Sequence, residues 1–359
     1  MINPKDIQPR AFMKKRKILV TGGAGYIGSH TIIEIIEKTD FEVVSVDNFS
    51  NSSPNTFDRI ERVCGRRVAN HEIDLCASGA AGGLAALEPD VAGVIHFAAF
   101  KSVPESVAHP TKYYHNNLGS LVTAAEYCRL AGVPALIFSS SCSVYGNIES
   151  LPVSESTPLS RPESPYAHTK QLGEGITEQY AMLGPMRAIS LRYFNPAGAH
   201  RTGLIGESPI NPASSLIPII TQTASGKREK MWVHGDDYPT RDGSCVRDYI
   251  HVCDVAGAHL SALRRLLDAD GDRYDVINLG AGRGVSVKEA IESFERCTGV
   301  RLNFAVGPRR KGDVVAIYSD INKSRRLLNW TAASSLDEMV VSAWKWEVNL
   351  GKEKSNTNV

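Results

Sequence analysis

Between a short apolar run, Lys17-Ile18-Leu19-Val20, and a helical pattern carrying Ile27, His30, Ile32, Ile33 and Ile36, the chain reads Thr21-Gly22-Gly23-Ala24-Gly25-Tyr26-Ile27-Gly28. A strand, a glycine-rich loop and a helix in that order leave few folds open. Glycines without Cβ atoms let a phosphate approach the backbone, and the first turn of the next helix turns its free N–H groups and positive dipole end toward it. Gly22, Gly25, Tyr26, Ile27 and Gly28 are therefore candidate pyrophosphate positions. The glycine pattern alone is a weak signal, and a second feature strengthens it. The run Phe41-Glu42-Val43-Val44-Ser45-Val46 ends at Asp47, where dinucleotide-binding folds place the carboxylate that bonds the adenosine ribose. Asp47 would repel a 2′-phosphate, and Asn48, Phe49, Ser50, Asn51 and Ser52 bring no Lys or Arg. The expected cofactor is NAD rather than NADP.

Strand and helix signals alternate from 17 to about 195, which predicts an α/β fold with a Rossmann-type doubly wound parallel sheet. Val91 to Ala99 and Ala135 to Ser141 read as buried parallel strands ending in small or polar residues, at the sheet edge where ligands of such folds sit. Pro110 to Ala131 has helical periodicity and contains Asn116. Another long helix should begin at Ser164-Pro165 and carry Tyr166, Lys170, Leu172, Ile176 and Tyr180. The expected organisation is a disordered extension over 1–13, an NAD-binding domain over 14–195, a smaller mixed α/β substrate domain over 196–348 and a frayed polar tail over 349–359. Part of 248–280 is expected to fold back onto the first domain.

The 359 residues carry a formal charge of +1, which argues against nucleic acid or an anionic membrane as the main partner. No apolar run approaches the ~20 residues of a membrane helix. The basic start Lys14-Lys15-Arg16-Lys17 leads straight into a strand, so it reads as a solvated lead-in and not a signal peptide. Seven scattered cysteines without Cys-x-x-Cys spacing suit reduced thiols of a cytoplasmic protein. No metal spacing is persuasive among the ten histidines, and no metal is expected.

Tyr166-Ala167-His168-Thr169-Lys170 places a phenol and an ammonium one helical turn apart on one face. In isolation such a pair is an ordinary exposed helix pair; after a dinucleotide loop it describes a redox site. A tyrosine base at neutral pH needs its pKa lowered by ~3 units, or ~4 kcal/mol of anion stabilisation, and Lys170 is expected to supply positive charge for it. Ser141, at a strand end, is the third candidate catalytic residue, able to donate to and accept from a substrate oxygen.

Several further strings join these: Asp47-Asn48, His96-Phe97-Ala98-Ala99-x-Lys101, Ser139-Ser140-Ser141-x-x-x-Tyr145-Gly146, Leu191-Arg192-Tyr193-Phe194-Asn195-Pro196-x-Gly198-Ala199-His200 and Val246-Arg247-Asp248-Tyr249-Ile250-His251-Val252. Over roughly 17–348 the chain closely resembles the family of UDP-glucose 4-epimerases (UDP-galactose 4-epimerases), which are extended short-chain dehydrogenase/reductases. The resemblance implies that Tyr166 takes the proton of the sugar 4-hydroxyl while C4 gives hydride to tightly bound NAD. The 4-keto sugar then turns over and is reduced on its other face. It assigns Tyr26, Ile27, Asp47 to Ser52, Asp74, Leu75, Phe97, Ala98, Ala99, Lys101, Asn116, Ser139, Tyr166, Lys170 and Phe194 to the cofactor. To the UDP-sugar it assigns Lys101, Ser141, Tyr166, Asn195, Ser215, Trp232, Val233, His234, Arg247, Arg310, Asp313 and Ile317. Arg247 and Arg310 suit bidentate bonding to the diphosphate. A homodimer packed through the helix near 112–130 and the one carrying Tyr166 is also implied.

Two departures stand out. Family members often carry Asn where Ser215 stands. Ile317 occupies a gate position similar to Tyr in members restricted to glucose and galactose and smaller in those admitting N-acetyl sugars, so weak use of UDP-GlcNAc or UDP-GalNAc is expected beside UDP-glucose. A sugar-nucleotide 4,6-dehydratase or a decarboxylase is the nearest alternative, but Cys142-Ser143 follow Ser141 where those enzymes need carboxylates. A non-enzymatic NAD-sensing regulator would have no use for Ser141, Tyr166 and Lys170 together.

Overall fold

The computed structural model describes residues 15–208, 210, 212–268, 271–310 and 313–357; the extension expected over 1–13 lies outside them. Seven strands form the central sheet: β1 (Lys17–Thr21), β2 (Glu42–Val46), β3 (Ala69–His71), β4 (Val91–His96), β5 (Ala135–Ser141), β6 (Arg187–Tyr193) and β7 (Tyr274–Leu279). Their order is β7-β6-β5-β4-β1-β2-β3, and every neighbouring pair is parallel. This is the Rossmann-type doubly wound α/β arrangement read from the sequence. Strand order reverses between β1 and β4, which opens the ligand crevice at their carboxyl ends.

Alternation along each strand splits the core into two layers. Ile18, Val20, Ile95 and Ile137 join one cluster, whereas Leu19, Val94 and Leu136 join the other. Because both faces are covered, these strands read as continuous apolar runs. Helix α1 (Tyr26–Lys38) follows the glycine loop, α2 (Gly119–Ala131) and α3 (Pro165–Leu183) flank β5, and α4 (Val252–Leu267) packs against α1. The helix read over Pro110–Ala131 is interrupted by a π-helical turn at Tyr114–Leu118. There Asn117 is drawn out of the helical register to pin the loop after β4, accepting from Phe100 N at 2.9 Å and donating to Phe100 O at 3.0 Å.

Beyond β6 the chain builds small sheets. Asn195–Ala197 pairs with Tyr249–His251, Met231–His234 with Phe304–Gly307, and Val246–Arg247 lies between Val285–Ser286 and Ala316–Ile317. Their core gathers Ile217, Ile220, Met231, Val233, Phe294 and Met339. The last helix, α5, runs over Leu336–Thr357, so 349–357 is helical rather than a frayed tail. Glu353 explains part of this, pairing with Arg59 at 3.0 Å and Arg62 at 2.7 Å. All seven cysteines are free. Among the described residues no helix is long and apolar enough to cross a membrane, and no cluster of side chains has the make-up of a metal site.

Candidate active site

At the nucleotide end, Gly22 has φ +70° and a Cβ there would lie 2.8 Å from Ala98 N; at Gly28 it would run into the Gly22 carbonyl. The loop is thus closed on its own backbone. Gly25 is the N-cap of α1 and has no side chain to cap it, so the N–H groups of the first turn, at Tyr26, Ile27 and Gly28, stay available to an anion. Asp47, 8% exposed, ties two loops together. Its Oδ2 accepts from Ala24 N at 2.9 Å, and its Oδ1 accepts from Phe49 N at 2.9 Å and Ser52 Oγ at 2.8 Å. A carboxylate has about four acceptor sites, so this one keeps capacity for a ribose hydroxyl. Asn48 Oδ1 accepts from Ser50 N at 3.1 Å, and the exposed Asp74 accepts from Cys76 N at 2.9 Å, beside the buried Leu75. Asn116 Nδ2 donates to Asn117 Oδ1 at 3.1 Å, and the Phe97 ring packs tilted against His259 with centroids 4.7 Å apart. Lys101 reaches Glu207 Oε1 at 2.5 Å, over the Tyr26 ring. These groups fit a dinucleotide.

The catalytic candidates meet at the carboxyl end of β5. Ser164 caps α3 by accepting from Ala167 N at 3.2 Å, and Pro165 follows in the first turn, as the sequence signalled. Lys170 is 4% exposed, and its Nζ donates to Ser139 O at 2.7 Å, 5.8 Å from the centre of the Tyr166 ring. Ser139 serves through that carbonyl, since its hydroxyl is bonded to Tyr193 OH. Ser141, 8% exposed, faces the Tyr166 phenol. Burial pushes Tyr166 up to about 12, with the Ser141 hydroxyl working against it. Burial brings Lys170 down to about 7, with the Glu174 carboxylate opposing. The expected acidification of Tyr166 by Lys170 is therefore outweighed in the protein itself, because the same apolar surroundings penalise phenolate and ammonium alike.

The substrate candidates fall in two groups. Arg247 Nη1 donates to Val246 O at 2.9 Å and Val314 O at 2.6 Å; its Nη2 lies 3.8 Å from Asp313 Oδ1, to which Arg310 also donates at 2.7 Å. The two arginines thus share one carboxylate. Burial pushes Cys142, next to Ser141, up to about 12 while the Arg247 charge pulls it down, so this cluster adjoins the catalytic one. Ile317, 5% exposed, packs with Phe194, Val144 and Tyr145. Asn195 Oδ1 is buried without a hydrogen-bond partner, an acceptor awaiting a donor. Trp232 and His234 are exposed on one face of their strand, but Val233 is 1% exposed in the core, so its side chain cannot touch a ligand; strand alternation forces this. Ser215 is exposed at the N-cap of the helix Leu216–Ala224.

Sequence reasoning missed Glu174 and Arg192, buried beneath this site, and Asp248, whose carboxylate holds Ala281 N, Gly282 N and Ser319 N at 2.8, 3.2 and 3.0 Å. The spacing of Tyr166, Lys170 and Glu174 at successive intervals of four was a signal for the first.

Comparison with known proteins agrees with this geometry. The model of the NAD dependent epimerase/dehydratase family matches residues 18–280. A UDP-glucose 4-epimerase of Erwinia amylovora is 42% identical over 331 residues, 92% of this chain and 97% of that protein. The crystal structure of the UDP-glucose 4-epimerase of Stenotrophomonas maltophila, with bound NAD and formylated UDP-arabinopyranose, is 41% identical with a TM-score of 0.90, covering 94% of this chain and 99% of that one. The UDP-Glc/GlcNAc 4-epimerase of Campylobacter jejuni is 38% identical with a TM-score of 0.80, covering 93% and 99%.

Proposed function

The chain belongs to the NAD dependent epimerase/dehydratase family, and from that premise we propose that it is a UDP-glucose 4-epimerase, interconverting UDP-galactose and UDP-glucose with NAD as a captive cofactor. The observation that carries this reading is the buried Lys170 ammonium held on Ser139 O at 2.7 Å, one turn from Tyr166 and beside Ser141. Bound NAD+ supplies the hydride acceptor and donor and a pyridinium charge. Tyr166 removes the proton of the sugar 4-hydroxyl and returns it after the 4-keto sugar has turned; Ser141 bonds the same oxygen throughout. Making a phenol at about 12 a base at neutral pH asks for roughly 7 kcal/mol of anion stabilisation at ~1.4 kcal/mol per unit. Lys170 contributes part of it. Tyr26, Ile27, Gly28 and Asp47 hold the dinucleotide, while Arg247 and Arg310 exchange Asp313 for the diphosphate and leave the hexose free to rotate. Burial keeps the Cys142 thiol neutral, so no carboxylate-like base follows Ser141 for a dehydration.

Purified protein given UDP-galactose without added cofactor is expected to form UDP-glucose. Protein carrying NAD that forms none overturns the reading. The gate at Ile317 and the likeness to the Campylobacter jejuni enzyme support slow turnover of UDP-GlcNAc; its complete absence removes that finer reading. Exposed Val122, Leu130, Leu172 and Met182 on α2 and α3 support a homodimer through these helices, which sedimentation tests, in a cytoplasmic protein with reduced thiols.

A further inference from the structure

One row of polar side chains crosses the sheet directly behind Ser141. Ser140 on β5 is the register partner of Arg192 on β6, and Arg192 is that of Asn278 on β7. Ser140 and Asn278 are fully buried and Arg192 is 5% exposed. Glu174 descends on this row from α3. Its Oε1 accepts from Ser140 Oγ at 2.5 Å and Arg192 Nε at 2.8 Å, and its Oε2 accepts from Arg192 Nη2 at 2.6 Å. The remaining guanidinium nitrogen, Nη1, donates to Tyr145 OH at 3.0 Å. Tyr145 OH donates to Asn278 Oδ1 at 2.6 Å, and Asn278 Nδ2 to Val153 O at 3.1 Å. Helix α3 carries Tyr166, Lys170 and Glu174 at intervals of four, so the three share a face over successive turns.

We propose that Glu174 and Arg192 are positioning residues of the reaction: their paired bonds lock α3 onto β6 while the Glu174 bond to Ser140 ties the same helix to β5, so that Tyr166, Lys170 and Ser141 meet in one geometry, and Glu174 places a negative charge behind the Lys170 ammonium. A buried ion pair adds little stability over well-packed apolar side chains. What it does add is direction, because a planar guanidinium bonded twice to one carboxylate tolerates neither sliding nor twisting. Ser140 adjoins both Ser141 and Ser139, whose carbonyl holds Lys170, so the lock acts within one residue of each catalytic group. The other titratable groups facing this corner include His96 from β4, kept neutral by burial, Tyr193 from β6, bonded to Ser139, Tyr274 from β7, pushed up by burial and by the Glu174 charge, Glu155, which accepts from Asn278 N at 2.7 Å, Glu178 one turn along α3, and Cys142 beyond β5.

The kinetic arm of the test rests on the 4-epimerase reading; the exchange arm does not. Glu174→Gln, the apolar double variant Glu174→Leu with Arg192→Met, and the exposed control Glu178→Gln are compared in the NAD-loaded full chain. Glu174→Gln is expected to lower kcat about 10²-fold, as misplacement of catalytic groups does, with KM within about threefold. The alkaline limb of its kcat profile should move to lower pH, because Lys170 loses the charge that favours its protonated form. Amide hydrogen exchange over 164–174 should quicken. The double variant should fold, retain NAD and keep the same kcat loss, whereas Glu178→Gln should match wild type. A folded double variant with wild-type kcat, or unchanged exchange over 164–174 in Glu174→Gln, overturns the proposal. If wild-type protein leaves UDP-galactose untouched, the functional reading has failed and the exchange comparison alone decides the lock.

Discussion

Two arginine–carboxylate clusters adjoin Ser141 and Cys142, one bonded to Ser140 and the other acting on Cys142, and they are built for opposite purposes. In the Arg192–Glu174 pair the side chains are 6% and 7% exposed and every charged atom has a partner within the fold. In the Arg310–Asp313 pair the arginine side chain is 53% exposed, and Arg247 stands 3.8 Å from the same carboxylate. A buried pair cannot change partners without leaving a charge desolvated, so it belongs to the frame. Here the Asp313 side chain is 12% exposed but Arg310 already meets solvent, so the arginine can turn to another anion and suits a ligand that comes and goes. Chemistry that must not shift is placed at the dry end.

The sharpest break of this contrast comes from Tyr166→Phe. Turnover of UDP-galactose is expected to fall at least ~10³-fold while NAD, measured after denaturation, stays bound; retention of a tenth of the activity would sink the assignment of the base. Acid probes the dry side next. His30 and His96 are brought down to about 3 and His259 to about 4, in each case by burial. Their folded values lie below the ordinary ~6.5, so the stability they carry is complete above that pH and is lost as pH falls toward their folded values. Urea unfolding at pH 5 against pH 7 should show a loss of about 2 kcal/mol per histidine; equal stabilities would mean that the interior is wet. On the ligand side, Arg247→Leu should raise KM about 10–30-fold, by ~1.5–2 kcal/mol, with kcat nearly unchanged. A fall in kcat instead would erase the distinction between the two clusters. Smallest is Arg301→Ala, which removes a 2.8 Å pair with Glu295 whose arginine side chain is 90% exposed; thermal unfolding should change by less than about 0.5 kcal/mol.

Legibility in the sequence followed locality. The glycine loop, the strand ends at Asp47 and Ser141 and the helix start at Ser164-Pro165 are short-range signals, and β1, β2, β5 and α3 stand where those signals put them. The π-helical turn at Tyr114–Leu118 escaped because Asn117 is recruited by Phe100, a partner seventeen residues away. The burial of the Val233 side chain escaped because a motif names a residue without saying which face of its strand is buried. The helix over 349–357 was unreadable for a similar reason: Glu353 finds Arg59 and Arg62 nearly three hundred residues upstream.

By itself the sequence determined a parallel α/β sheet, a dinucleotide loop and a tyrosine and lysine on one helical face, since periodicity, glycine geometry and the four-residue repeat act between near neighbours. Only the tertiary structure decided the ionic state of that pair, with Tyr166 pushed up to about 12 and Lys170 brought down to about 7. It alone also joined Glu174 on α3 to Arg192 on β6. Burial and desolvation are set by what packs from elsewhere in the chain, and no local pattern of residues records it.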